Sequence, residues 1–329
     1  MEETNGPRIV LSLAVMTGVS LLLMVLRFFC KARYDKRFGW DDHLLAASWI
    51  TLLTYAVVTI SAVSFGIGRR KALIPAINLV QALKLLYVGR FFGIIALAIS
   101  KTSFAVTLLH LARGTWQRAI IWFIIISLNV VMWTCAFSLF FQCNPVHKAW
   151  DLGAPGTCWP SQIQVNISIG ASAYSAAMDF ALALFPVILI WHLQMGNKEK
   201  FGVLIAMSLG VFAGIIAIVK TYFITGSSRS SDFTFTSADL LIWSGTETAV
   251  TIMAASIPFL RLIFKEFAKK SRGTMIESRN QRSIAGKDGM GRDTVSAASE
   301  WDNDSILSDG RTRRAKLVVN GGKATVSFQ

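Results

Sequence analysis

Apolar residues along this chain come in seven long blocks separated by short polar segments. The blocks cover roughly 9–29, 43–65, 85–111, 119–141, 163–193, 203–225 and 240–263. A hydrocarbon core of about 30 Å takes roughly 20 residues of helix to cross. Each block is that long and continuous, whereas a barrel would show short alternating strands. The pattern therefore predicts an all-α fold, a seven-transmembrane helix bundle. The third and fifth blocks exceed the minimum and are expected to tilt or to project. After the last block the apolar pattern stops. The expected organisation is a short extracellular N-terminus (1–8), the bundle (9–263) and a disordered, basic, Ser-rich cytoplasmic tail (264–329).

Composition agrees with a membrane protein: 53% of residues are hydrophobic, 16% charged, and mean hydropathy is +0.51. The formal charge of +14 would otherwise point to nucleic acid, but 13 of the 33 Lys and Arg fall in 264–329. Basic residues flanking spans account for it, and no nucleic-acid partner is expected. The partner this pattern requires is the lipid bilayer, of the plasma membrane or an endomembrane. The acidic start, Glu2 and Glu3, and the full-length first run predict a span there, not a cleaved signal peptide. Basic residues in the tail and at Lys265, Lys269 and Lys270 favour a cytoplasmic C-terminus, so seven spans put the N-terminus outside or in a lumen.

Two cysteines, Cys143 and Cys158, share the loop QCNPVHKAWDLGAPGTCWP, which this topology places outside, where an oxidising compartment permits a disulfide. Cys30 lies at the inner membrane edge, a position open to palmitoylation. In the tail, RNQRS offers Ser283 as a phosphorylation candidate beside two arginines, with a cytoplasmic signalling partner as its reader.

Charged residues within spans are costly and therefore mark candidate sites. They are Arg90 and Lys101 in the third span, Asp179 in the fifth, Lys220 in the sixth and Glu247 in the seventh. At ~1.5 Å per residue, Lys220, Glu247 and Arg90 all fall roughly 8–10 Å below the outer ends of their helices. Lys220 and Glu247 are expected to meet there, with Arg90 in the same layer. Lys101 and Asp179 lie nearer the midplane and are expected to form a second, deeper pair. Ser244, Glu247, Thr248 and Thr251 recur at helical spacing and give the seventh helix one polar face. With Pro186 freeing the carbonyl of Leu182, this composition predicts an outward polar pocket. The structural alternative is that the same charges only pin helices together. Ala206, Gly210 and Gly214, every fourth residue, form a close-packing face. Asp41 and Asp42 open the second span, one as a helix cap and the other for Arg33, Lys36 or Arg37. His110 and Trp191-His192 fall where interfacial anchors belong. No P-loop, H-E-x-x-H or Cys-x-x-Cys motif occurs, and no metal site is expected.

In combination these motifs resemble the fungal rhodopsin-like integral membrane family, the seven-helix domain also found in fungal pathogenicity-related receptor-like proteins. The residues that carry the resemblance are GWDDHLLAA, SKTS (100–103), QCNPVHKAW with Cys158, ISIGASAYSAAMDFALALFPVILIWHLQM, KEKFGVLIAMSLGVFAGI, DFT (232–234) and IWSGTETAVTIMAASIPFLRLIF. Where the family often has Gly-x-Gly-x-His, this chain reads GIGRR, with Arg70 in the place of the histidine. Only eight residues precede the first span, so no cysteine-rich extracellular module is expected. The last apolar block contains no lysine, and a retinal pigment of the microbial type needs one there. No retinal or other cofactor is expected.

The resemblance and the polar pocket imply a receptor-like or sensor protein for a small lipophilic ligand. The rival reading is an intramembrane cyclase or isomerase of secondary metabolism, with Asp179 or Glu247 as the catalytic acid on a lipophilic substrate. A transporter or scaffold ranks below both, because no inverted repeat is evident. The Asp-Arg-Tyr and Asn-Pro-x-x-Tyr signatures of G-protein-coupled receptors are absent, and the third span ends LLHLARGTW.

Overall fold

In the computed structural model the residues described are 4–34, 39–70, 74–112, 114–151, 153–191, 197–229, 234–257, 315–320 and 323–328. Seven helices are long and apolar enough to cross a membrane. They are α1 (Gly6–Tyr34), α2 (Trp40–Ser64), α3 (Ala76–Leu111), α4 (Thr115–Phe141), α5 (Ser161–Trp191), α6 (Asn197–Arg229) and α7 (Thr234–Ile257). Without water in the hydrocarbon layer, each backbone must bond to itself, which is why continuous apolar runs become helices. Two expected boundaries move. Helix α3 starts at Ala76, nine residues before its apolar block, because AINLVQALK has no glycine or proline after Pro75 and is rich in good helix formers such as Ala, Leu, Gln and Lys. At 36 residues it is roughly 54 Å long, well over the apolar thickness. Helix α7 likewise starts at Thr234, six residues early.

The bundle reverses the polarity of a soluble protein. Leu11, Leu22 and Phe29 on α1, Phe123 and Ile126 on α4, and Ile218 and Tyr222 on α6 are exposed. Arg27, Lys101, Asp41, Asp42 and Glu247 are all at most 2% exposed. Small residues set the closest helix approaches. A Cβ at Gly93 of α3 would lie 3.1 Å from the Tyr55 ring of α2. Between α5 and α6, a Cβ at Gly210 would lie 2.8 Å from the Ala183 Cβ, and one at Gly214 would lie 2.9 Å from the Phe180 ring. The close-packing face on the sixth helix is thus turned to α5. The side chain of Ala206 lies outside the described residues.

At one end of the bundle, β1 (Cys143–Asn144) and β2 (Thr157–Cys158) pair antiparallel, with Cys143 opposite Cys158. The two cysteines form a disulfide. At the same end, the loop after α2 is tied down by backbone bonds. Asn5 N donates to Gly68 O at 3.0 Å, and Gly68 N donates to Thr234 O at 3.1 Å. Gly66 and Gly68 have φ of 117° and 91°, the left-handed region that favours glycine. This explains Gly-Ile-Gly without any role for the missing histidine.

The chain divides into two units, Met1–Ser271 and Arg272–Gln329. Within the second, β3 (Ala315–Asn320) and β4 (Lys323–Phe328) pair as an antiparallel hairpin. The rest of the expected irregular tail, including Ser283, lies outside the described residues, as does His192.

Candidate ligand cavity and ion networks

Four helices bring one charged residue each into a single buried network. Lys101 of α3 donates to Asp179 of α5 at 2.7 Å and to Glu247 of α7 at 3.0 Å. Lys220 of α6 donates to the other oxygen of Glu247. Ser175, one turn before Asp179, accepts from Lys101 and donates to Glu247 at 3.3 Å. Two cations therefore face two anions, and Glu247 joins the pairs.

The two expected layers are one. The long lysine stems let charges at different depths meet, which counting rise per residue does not capture. Arg90 does not belong to this network. Its guanidinium donates to the Ser168 hydroxyl, across from α3 to α5.

Of the other candidates on α7, Ser244 lines a cavity, while the hydroxyls of Thr248 and Thr251 bond to the carbonyls of Ser244 and Glu247, at 3.2 and 2.9 Å. Such back-bonding is the usual fate of a helical threonine, and these two do not line the cavity. The polar face of α7 is thus divided between cavity, network and its own backbone.

The cavity, about 520 Å³, lies between the network and the disulfide end, within the ~300–1,000 Å³ common for small-molecule sites. Its wall is mainly apolar, including Leu83, Leu86, Ile94, Leu97 and Met132. Among the described residues, Arg90 and Lys220 are the charged ones lining it, and no carboxylate of theirs does. Asp179 and Glu247 sit behind the wall. At the disulfide end the lining includes Gln142, Ala149, Ser161 and the exposed Gln162. An aromatic cluster braces that end: Tyr87 packs edge-on against Trp150 at 5.2 Å, and its hydroxyl donates to Leu139 O at 2.6 Å.

A second buried network occupies the opposite end of the bundle. Arg27 of α1 pairs with both Asp41 and Asp42 of α2 and donates to the Ala255 carbonyl of α7. Lys31, one turn on, pairs with the same two aspartates. Asp42 also accepts from Gly39 N at 3.0 Å, capping α2, and Ser103 of α3 donates to Asp41 O at 2.9 Å. The partners of the two aspartates among the described residues are Arg27 and Lys31, not the expected Arg33; Lys36 and Arg37 lie outside the described residues. Arg27 was hidden in the apolar first block. The available signal is its spacing: Arg27 and Lys31 are one helical turn apart, next to a short connection that begins with two aspartates. Cys30, expected at the lipid edge, is buried.

Fold and site together define a multi-pass membrane protein with seven spans, a closed ion network and a mainly apolar cavity above it. The chain belongs to the family described by the Fungal rhodopsin domain, which matches residues 26–266. It is similar to a SAT4 family membrane protein of Emericella nidulans, 28% identical over 74% of this chain and 59% of that one. It is also similar to the Wortmanamides biosynthesis cluster protein C of Talaromyces wortmannii, 23% identical over 75% of this chain and 68% of that protein. A third relative is the Fugralins biosynthesis cluster protein 2 of Gibberella zeae, 26% identical over 48% of this chain and 40% of that one. The chain thus spans less than two thirds of the first and third of these relatives. No solved structure matches.

Proposed function

We propose that this protein is a receptor-like sensor whose small lipophilic ligand occupies the 520 Å³ cavity. The observation that carries the reading is that Lys220 belongs both to the cavity wall and, through Glu247, to the four-helix network. A ligand there touches the hub that joins α3, α5, α6 and α7. Acid catalysis is the weaker reading, because Asp179 and Glu247 bond to lysines and neither lines the cavity. Two of the relatives are named for biosynthesis clusters, which favours a secondary metabolite as the ligand. No retinal is required. The disulfide favours placing the cavity end outside or in a lumen, with the basic tail cytoplasmic.

The test is a thermal-shift screen of the purified full chain against lipophilic fungal metabolites, paired with tail phosphorylation in cells. Binders should stabilise the wild type, fail with a cavity-filling Ala171→Trp variant, and change the phosphorylation state. Conversion of a binder to product, lost in Asp179→Asn or Glu247→Gln, would instead establish the enzyme reading.

A further inference from the structure

The cavity is unbalanced in charge. Lys220 has Glu247 as its counter-ion, but Arg90 has none: among the described residues its hydrogen-bond partner is the neutral Ser168 hydroxyl, which itself donates to Gln164 O at 2.8 Å. Arg90 is exposed and lines the cavity, so its guanidinium faces the void. An arginine carries five N–H donors and keeps its charge. Water can solvate that charge while the cavity is empty of ligand, but a lipophilic ligand that displaces the water leaves it costly unless the ligand itself brings an anion. Among the described residues the wall offers no carboxylate. One and two turns further along α3 from Arg90 lie Ile94 and Leu97, with Met132 of α4 sharing the same wall.

Resting on the reading of this cavity as the ligand site, we propose that the ligand is an anionic amphiphile. Its carboxylate or similar oxyanion head pairs with Arg90, and its apolar chain lies along Ile94, Leu97 and Met132. A guanidinium binds a carboxylate through two parallel hydrogen bonds, which a neutral ester cannot reproduce. Charge-assisted bonds contribute ~1.5–3 kcal/mol each. The ester carbonyl still accepts one of the two, so the acid gains one such bond; at 1.4 kcal/mol per factor of ten it should outbind the ester by about 10- to 100-fold.

Cys135, a free cysteine in the same wall, supplies the readout. The full chain, carrying Cys30→Ser so that the buried Cys135 is the one free thiol, is placed in phosphatidylcholine nanodiscs. It is then labelled with a lipophilic maleimide in the presence of dodecanoate or methyl dodecanoate. Dodecanoate should slow labelling at concentrations at least about tenfold below those of the ester. Arg90→Gln should erase that preference, and Arg90→Lys should retain part of it. Slower labelling in phosphatidylglycerol nanodiscs without dodecanoate would identify a bilayer lipid as the source of the anion.

Equal protection by acid and ester overturns the anionic assignment while leaving the cavity reading intact. So does an acid preference that survives Arg90→Gln. If neither compound protects Cys135, the anionic assignment falls, and the metabolite screen separately decides whether the cavity binds anything.

Discussion

Replacing Lys101 with Met and Asp179 with Asn, singly and together, tests whether the buried charges act as one unit. Either single change leaves an uncompensated charge among residues at most 8% exposed. Lys101→Met leaves Asp179 and Glu247 to share one lysine. Asp179→Asn leaves Lys101 and Lys220 to share one carboxylate. Stranding a buried charge in this way costs about 3–5 kcal/mol. For a bundle of this size, 1 kcal/mol corresponds to ~2–4 °C, so each single variant should lose about 6–20 °C in Tm. The double variant removes one cation and one anion and leaves the Lys220–Glu247 pair. Its loss should be close to that of one single variant or smaller, never the sum, which sets the coupling at about 3 kcal/mol or more. The assay is thermal unfolding of purified protein in a single mild detergent. Additive losses, or single variants within about 2 °C of wild type, would refute the four-helix network as a coupled unit.

The other expectations are simpler. Arg27→Met should cost about 3–5 kcal/mol, because it leaves Asp41 and Asp42 to share Lys31 and frees the Ala255 carbonyl; the yield of folded protein on size-exclusion chromatography checks it. Reducing the Cys143–Cys158 bond, which closes a separation of 15 residues, should cost about 3 kcal/mol in the wild type and nothing in Cys143→Ser/Cys158→Ser, read as Tm with and without reductant. Gly210→Leu should disrupt the contact of α6 with Ala183, whereas Gly170→Ala on α5 meets nothing within 4 Å and should be neutral or stabilising by up to about 1 kcal/mol.

The helices were legible because lipid imposes one rule on every span, and the apolar blocks of the sequence reflect it directly. Their ends were not, since α3 and α7 begin in mixed stretches, AINLVQALK and TFTSAD, where polar residues interrupt the apolar run. The Lys220–Glu247 pair was legible from depth alone, because α6 and α7 are consecutive and antiparallel. The link from Glu247 to Lys101 depends on which helices neighbour α3 across the bundle, and a list of spans does not contain that. Arg27 escaped notice for the opposite reason: a single arginine near the end of an apolar run looks like an interfacial residue until its two aspartates are seen facing it. The cavity itself is the space left where Gly93, Ala171 and Ser172 meet larger neighbours, a property of several helices at once.

Glu247 lies in the last of the seven spans. During synthesis α3, α5 and α6 are produced before the residue that joins their charges exists. Until residue 247 has been added, Lys101 has only Asp179, and Lys220 has no acidic partner among those described. A chain interrupted before α7 therefore carries Lys220 without the carboxylate it pairs with in the finished bundle. The ion network thus closes only when the seventh span is in place.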